Sequence, residues 1–352
     1  MTEDLRERLR TIPAPDPFTD GTAVADDIVA QGLVGEITVE GETATIELAL
    51  GAPHSPAETE LVERIREAVD AAGYEPALSV RIDDDTPASG GPIVIAVSSG
   101  KGGVGKSTIS TNLAAGIADR GASVGLFDAD VFGPNIPRML GVADEMVPPG
   151  GENTILPVDA GGIQVLSVGF MVDDSNPITW RGPVVDQMLS DLWHDVAWDG
   201  VEYLVVDLPP GTGDAQLTML QQMPVLGSVV VTTPQDVALD NVRKGISQFE
   251  PYEAEVFGLV ENMSTFVCPN CGEGHAVFPT TGAAALADEF DVPLLGRIPL
   301  DPAIGDHCEA GEPIVFGETE TAEIFRDLAG DVMDAVGRRR RHAHSRNNIS
   351  HV

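Results

Sequence analysis

Cysteine is scarce in this chain. Three occur in 352 residues, Cys268, Cys271 and Cys308. That is too few for a disulfide framework, and the odd number fits a reducing compartment. Basic residues are scarce as well: 20 lysines and arginines stand against 56 aspartates and glutamates, a formal net charge of −36. Only six of the bases precede residue 85. A protein that grips nucleic acid through phosphates needs a basic face, so no nucleic-acid partner is expected. No apolar run approaches the roughly 18 residues of a membrane span. The opening MTEDLRERLR has no apolar segment behind it, so neither a signal peptide nor a membrane partner is expected, and the expected location is cytoplasmic. The acids are spread through both halves. Such a chain repels itself in dilute buffer, and molar salt, with a Debye length of about 3 Å, screens the repulsion. A halophilic setting is therefore expected. What the chain does have is apolar content, 43% of its residues, enough for more than one globular core.

Residues 1–82 read as a small α+β unit. Leu5, Leu9 and Ile12 stand at helical spacing, and "LVGEITVEG" and "ATIELAL" alternate as strands joined through Gly41. "SPAETELVERIREAVDAAG" predicts a helix capped by Ser55 or Thr59, with Leu61, Ile65, Ala68 and Val69 on one face. "ALSVRI" is a last strand, giving the order α-β-β-α-β. Residues 83–92, "DDDTPASGGP", form an acidic linker. From residue 93 the pattern changes to continuous apolar strands separated by helical stretches: "IVIAVSS", "SVGLFDAD", "IQVLSVGF", "YLVVDLPPG", "GSVVVTTP" and "VFGLVENM". Strands of this kind are buried on both faces, so residues 93–336 predict an α/β domain with a mostly parallel sheet and helices on both faces. Residues 337–352, "GRRRRHAHSRNNISHV", read as a basic disordered tail, and the lack of Leu, Phe or Trp argues against a membrane helix there.

Gly100 to Ser107 fit G-x-x-x-x-G-K-[ST] between a strand and a helix. In that setting Gly100, Gly102, Gly103, Val104 and Gly105 turn backbone N–H groups toward phosphate oxygens, and the helix start, with Thr108, adds partial positive charge. Lys106 should reach the β- and γ-phosphates of ATP, and Ser107 should bind Mg²⁺. A second lysine, Lys101, stands at the loop tip. It cannot easily fold back beside Lys106, so we expect it to serve the nucleotide of a neighbouring chain, in a homodimer with ATP at the interface. Three acids end buried strands: Asp128 and Asp130 in "LFDADVFGPN", Asp207 in "LVVDLPPGTGD". Asp207 is the candidate for Mg²⁺, Asp130 for positioning the attacking water, and Asp128 for supporting the metal shell. Gly211 and Gly213 leave the second loop free to respond to the γ-phosphate.

"CPNCGEGH" spaces Cys268 and Cys271 as C-x-x-C, with Pro269 and Gly272 forming a tight knuckle. Two thiolates are half of a tetrahedral zinc or [4Fe–4S] site. A two-fold axis would supply the other half. His275 or Cys308 could instead complete a zinc site within one chain; a redox pair and an inert pair are further readings, and Cys308 alone reads as a structural thiol.

"GKGGVGKS" resembles the deviant phosphate loop of the MinD/nitrogenase-iron-protein group. "DADVFGPNIPRMLG", "WRGP", "YLVVDLPPGTGDAQLT", "VTTPQDVAL", "GLVENMSTFVCPNCGEGHAVF" and "LLGRIPLDPAI" together resemble the Mrp/ApbC family of iron–sulfur cluster carriers, over residues 93 to about 335. The N-terminal unit resembles the small iron–sulfur-assembly domain often fused to them. The resemblance implies a homodimer that holds a labile [4Fe–4S] cluster between its C-x-x-C pairs, hydrolyses ATP slowly and passes the cluster to apo iron–sulfur proteins. It implies Lys101 as the signature lysine, Lys106 and Ser107 as phosphate and Mg²⁺ residues, Asp207 as the metal-side acid, and Cys268 and Cys271 as cluster ligands. It also implies that Asn262 contacts the adenine base. A departure is Ser55 before Pro56, where related small domains often carry Cys-Pro, so thiol chemistry is not expected of this unit. Two rivals remain: a MinD/ParA-like positioning ATPase, and an ATPase dimer with structural zinc.

Overall fold

The computed structural model describes residues 2–19, 24–81, 91–131, 133–148, 150–151, 154–171, 182–211, 213–235, 243–247, 249–252, 254–268, 270–276 and 282–349. Most of the acidic linker, Trp180 and Arg181 of "WRGP", Pro269 and the last three residues lie outside these. The chain divides into two compact units, one of residues 1–90 with 333–352, the other of residues 91–332.

The first unit begins with α1 (Thr2–Leu9), then β1 (Pro13–Thr19), β2 (Val24–Asp27), β3 (Val34–Glu40), β4 (Thr43–Ala49), α2 (Pro56–Asp70) and β5 (Glu75–Arg81). β3 and β4 form an antiparallel hairpin, and β5 returns parallel to β4. That return is what the intervening helix α2 makes possible, since a parallel pair needs a crossover. Leu61, Ile65 and Val69 bury one stripe of α2 against Leu5, Leu9, Ile46 and Leu48. Ser55 is the cap: its Oγ accepts from the Glu58 N–H, and Pro56 opens the helix. The β1–β2 ribbon was not expected, because Pro13, Pro15 and Pro17 have no N–H to give a ladder and an edge pair alone tolerates them.

The second unit runs β6 (Ile93–Ser99), α3 (Lys106–Asp119), β7 (Val124–Asp128), α4 (Ile136–Met139), β8 (Val158–Ala160), β9 (Ile163–Ser167), α5 (Gly182–Asp195), β10 (Tyr203–Asp207), α6 (Asp214–Gln222), β11 (Val225–Thr232), β12 (Glu255–Val267), β13 (Gly274–His275), α7 (Gly282–Phe290), β14 (Leu294–Leu300), α8 (Pro302–Ala310) and α9 (Glu320–Ile349). The sheet order is β13-β12-β11-β6-β10-β7-β9-β8, with β14 also paired to β12. Among the described residues, only β8 and β13 are antiparallel to their neighbours in this sheet. Val94, Ala96, Leu204 and Val206 share a core with Val185 and Leu189 of α5 and Met219 of α6. α3 touches β6, β7 and β10, and Ile95, Val97 and Val205 between those residues are equally buried. Helices therefore cover both faces, as the doubly apolar strands require.

The basic tail is a correction. Residues 337–349 continue α9, which is counted with the first unit from Met333 on. Arg341 is buried there and pairs with the buried Glu58. Arg340 Nη1 donates to the Gly51 carbonyl at 2.8 Å, and Asp334 Oδ1 accepts from the Ala57 N–H at 3.0 Å. These residues have partners far away in sequence, so they order the helix instead of solvating a free end.

Candidate nucleotide site and cysteine hairpin

β6, β10 and β7 lie side by side and parallel, with Asp207 in register with both Val97 and Asp128. Their carboxyl ends therefore deliver the phosphate loop and two acids to one place, where ligands sit in open α/β sheets. Gly103 and Gly105 hold positive φ, 77° and 84°. Gly105 caps α3 with no side chain, which leaves the first-turn N–H groups of that helix to a bound anion. The loop lines a cleft of about 340 Å³ whose far wall includes Asp130, Asn135 and Pro210.

Lys106 is buried, its Nζ 2.7 Å from Asp207 Oδ2 and 3.6 Å from Asp130 Oδ2. Asp207 accepts from Ser107 Oγ at 2.7 Å and, through its other oxygen, from Ser110 Oγ. A serine hydroxyl and a carboxylate meeting beside a phosphate loop are hard oxygen donors that suit Mg²⁺. Asp128 is fully buried. It accepts from Ser167 Oγ at 2.9 Å and from the Asp130 N–H at 3.2 Å. Burial first, and the charge of Asp207 second, push its carboxyl up to about 8, against the pull of Ser167 and Lys106. Ser110 and Ser167 were not singled out from the sequence. Ser110, one turn beyond Ser107, carried a legible signal in its helical spacing; Ser167 carried none.

Lys101 points away from this cluster. Its Nζ lies 3.4 Å from Gln235 Oε1, and its carbonyl accepts from Ser99 Oγ at 3.0 Å. Asn262, expected at the base, is turned onto the loop: Nδ2 donates to the Val104 carbonyl at 2.8 Å, and Oδ1 accepts from the Met263 N–H at 2.9 Å.

The cysteines sit in a hairpin between β12 and β13, where Phe266 pairs with His275 and Val267 with Gly274. The Cys268 N–H donates to the Glu273 carbonyl at 3.0 Å, and the Gly272 N–H to the Cys268 carbonyl at 2.8 Å. This fold-back brings the Cys268 and Cys271 sulfurs and a His275 ring nitrogen within 4.8 Å of one another. Backbone N–H groups of Asn270 and Cys271 lower the Cys268 thiol, which favours the thiolate that a metal needs. Cys308 lies on α8, half-buried, its thiol pushed up by burial; it is no part of that group.

A family model described as the NUBPL iron-transfer P-loop NTPase, of ParA type, matches residues 92–333. Over 318 residues the chain is 40% identical to an iron–sulfur cluster carrier protein of Haemophilus influenzae, covering 87% of this chain and 86% of that protein. Over 255 residues it is 45% identical to an iron–sulfur cluster carrier protein of Escherichia coli, covering 72% and 69%. Among solved structures it is similar to a nucleotide-binding protein of Archaeoglobus fulgidus in complex with ADP, with a TM-score of 0.58, 37% identity and coverage of 66% and 91%. It is also similar to the Pyrococcus furiosus cell division ATPase MinD, with a TM-score of 0.53, 25% identity and coverage of 69% and 99%.

Proposed function

The chain belongs to the iron-transfer P-loop NTPase family, and from that membership we propose an ATP-dependent iron–sulfur cluster carrier that works as a homodimer. The observation that carries this reading is the pairing of a complete phosphate site with a cysteine hairpin on the same sheet. ATP would lay its phosphates on the N–H groups of residues 100–108, with Lys106 exchanging its Asp207 partner for the β- and γ-phosphates. Mg²⁺, held by Ser107 and Asp207, would neutralise phosphate charge. Asp130, 3.6 Å from Lys106, stands where it can orient the attacking water. Asp128 holds the Asp130 N–H and so fixes that loop. Lys101, pointing away from the acid cluster, would cross to the partner's nucleotide. Hydrolysis is expected to be slow, as suits a switch that gates cargo.

The cargo is a [4Fe–4S] cluster held by Cys268 and Cys271 of each chain and released to apo iron–sulfur proteins. Anaerobic reconstitution tests it: the native chain should take up about four irons per dimer, and the Cys268→Ala/Cys271→Ala pair should take up none. Retention of iron by the double variant would overturn the ligation. His275 favours a second reading, a one-chain zinc site with three protein donors. Metal analysis of anaerobically purified protein separates the two.

A further inference from the structure

Resting on the carrier reading, we infer that Asn262 is the positioning residue that couples the nucleotide loop to the cysteine hairpin. Its amide is buried, and each end is spent on a different element. Nδ2 grips the Val104 carbonyl inside the phosphate loop; Oδ1 grips the Met263 N–H in its own strand. The fit to the loop is tight: a Cβ on Gly105 would stand 2.1 Å from Nδ2, so only glycine lets the amide reach the carbonyl.

β12 is not a plain strand beyond that point. Met263 takes a positive φ of 58°, and the pairing with β14 slips between Asn262 and Phe266. Ser264 Oγ donates to the Ile298 carbonyl at 3.0 Å and holds the far side of this bulge. Pairing resumes at Phe266, which faces Leu300 on one side and His275 on the other. Cys268 follows two residues later. Asn262 therefore ties the loop that would take the phosphates to the joint of the strand that carries the thiols. Buried hydrogen bonds are among the contacts through which coupling between sites is carried. When phosphate draws the loop N–H groups inward, the Val104 carbonyl moves, and the amide carries that movement to the bulge and the hairpin.

The test reads metal-free, reduced protein, so it stands apart from cluster loading. Maleimide labelling of each cysteine is followed by mass spectrometry with and without Mg·ATP, with Cys308 as the internal reference. In the native chain ATP should change the Cys268 and Cys271 rates by about 5-fold or more, the low end of a typical inter-site coupling, and leave Cys308 unchanged. In Asn262→Ala and in the near-isosteric Asn262→Asp, at ATP concentrations that saturate each, that ratio should fall to about one. Hydrogen exchange of the native chain should show an ATP-dependent change at amides 263–268. Absence of that change, or a labelling ratio kept by either variant, overturns the coupling. Loss of ATP-over-GTP preference as the main defect of the variants would place Asn262 at the base instead, and also overturns it. A native chain that loads no iron yet shows the nucleotide-dependent thiols would refute the carrier and leave the coupling standing.

Discussion

Asp207 makes three contacts at the phosphate loop, an ion pair with Lys106 and hydrogen bonds from Ser107 and Ser110, and all three partners come from the first two turns of α3. Truncating Lys106 leaves a fully buried carboxylate without its cation, a change that costs about 3–5 kcal/mol in comparable buried pairs. Lys106→Ala should therefore lower the melting temperature as well as abolish ATP binding, measurable by calorimetry with and without nucleotide. Lys101→Ala should behave differently. Its ammonium meets Gln235 rather than the acids, so ATP binding should persist while turnover falls about 1,000-fold or more, as when a trans cation is withdrawn. A turnover near the native value would confine Lys101 to the loop surface. Asp128 adds a pH dependence. Its folded carboxyl titrates near 8 rather than 3.8, so the native state keeps a proton that the unfolded chain surrenders. The stability this lends is complete below about pH 4 and is lost as pH rises through 8, at about 1.4 kcal/mol per pH unit between those limits. Asp128→Asn is neutral throughout. Melting of the nucleotide-free proteins from pH 5 to 8.5 should swing progressively in the variant's favour; a constant gap would place the titration elsewhere.

α9 shows what a single element can hide. Four consecutive arginines from residue 338 read as a solvated run, yet Arg341 is buried on Glu58, 283 residues away. Glu58 also accepts the N–H groups of Gly51 and Ala52 at 2.8 and 2.9 Å, so the pair organises the loop before α2. Arg341→Ala should destabilise the protein by about 3 kcal/mol, the low end for a broken buried pair, since burial already raises the Glu58 carboxyl and lets it escape by taking a proton. Adding Glu58→Gln should recover part of the loss in urea melts; no recovery would mean that Arg341 acts through packing alone. The same limit explains what the sequence disclosed elsewhere. β6, β7 and β10 were legible because burial on both faces writes an unbroken apolar run, and the phosphate loop because its chemistry is local. The β12–β13 hairpin was not, since a two-residue strand has no period and its Cys268–Glu273 bond leaves no compositional mark. The β1–β2 ribbon hid behind its prolines. Asn262 stood out as a functional amide, but its partner, Val104, lies 158 residues away, and spacing carries no information over that distance.

Charge acts on the molecule as a whole. Lys101, Lys106 and Lys244 are the chain's only lysines, so two of the three stand in the phosphate loop. Elsewhere the chain carries acids, and at a net charge of −36 folding must overcome self-repulsion, as must the proposed meeting of two copies. Salt should relieve both. Raising KCl from about 0.1 to 2 M should raise the melting temperature and shift the ATP-loaded protein toward dimer by sedimentation, because the Debye length falls from about 10 Å to below about 3 Å over that span. The shape of the response identifies its cause. Screening is nearly complete once the Debye length matches a contact distance, so a screening effect should flatten near 1 M. Exclusion of salt from apolar surface instead keeps growing with concentration and is stronger for sulfate than for chloride. A rise that levels off and is alike for the two anions at equal ionic strength assigns the stabilisation to the acids. A steady climb favouring sulfate would assign it to apolar burial, and equal stability at both KCl concentrations would mean that the acids are neutralised locally.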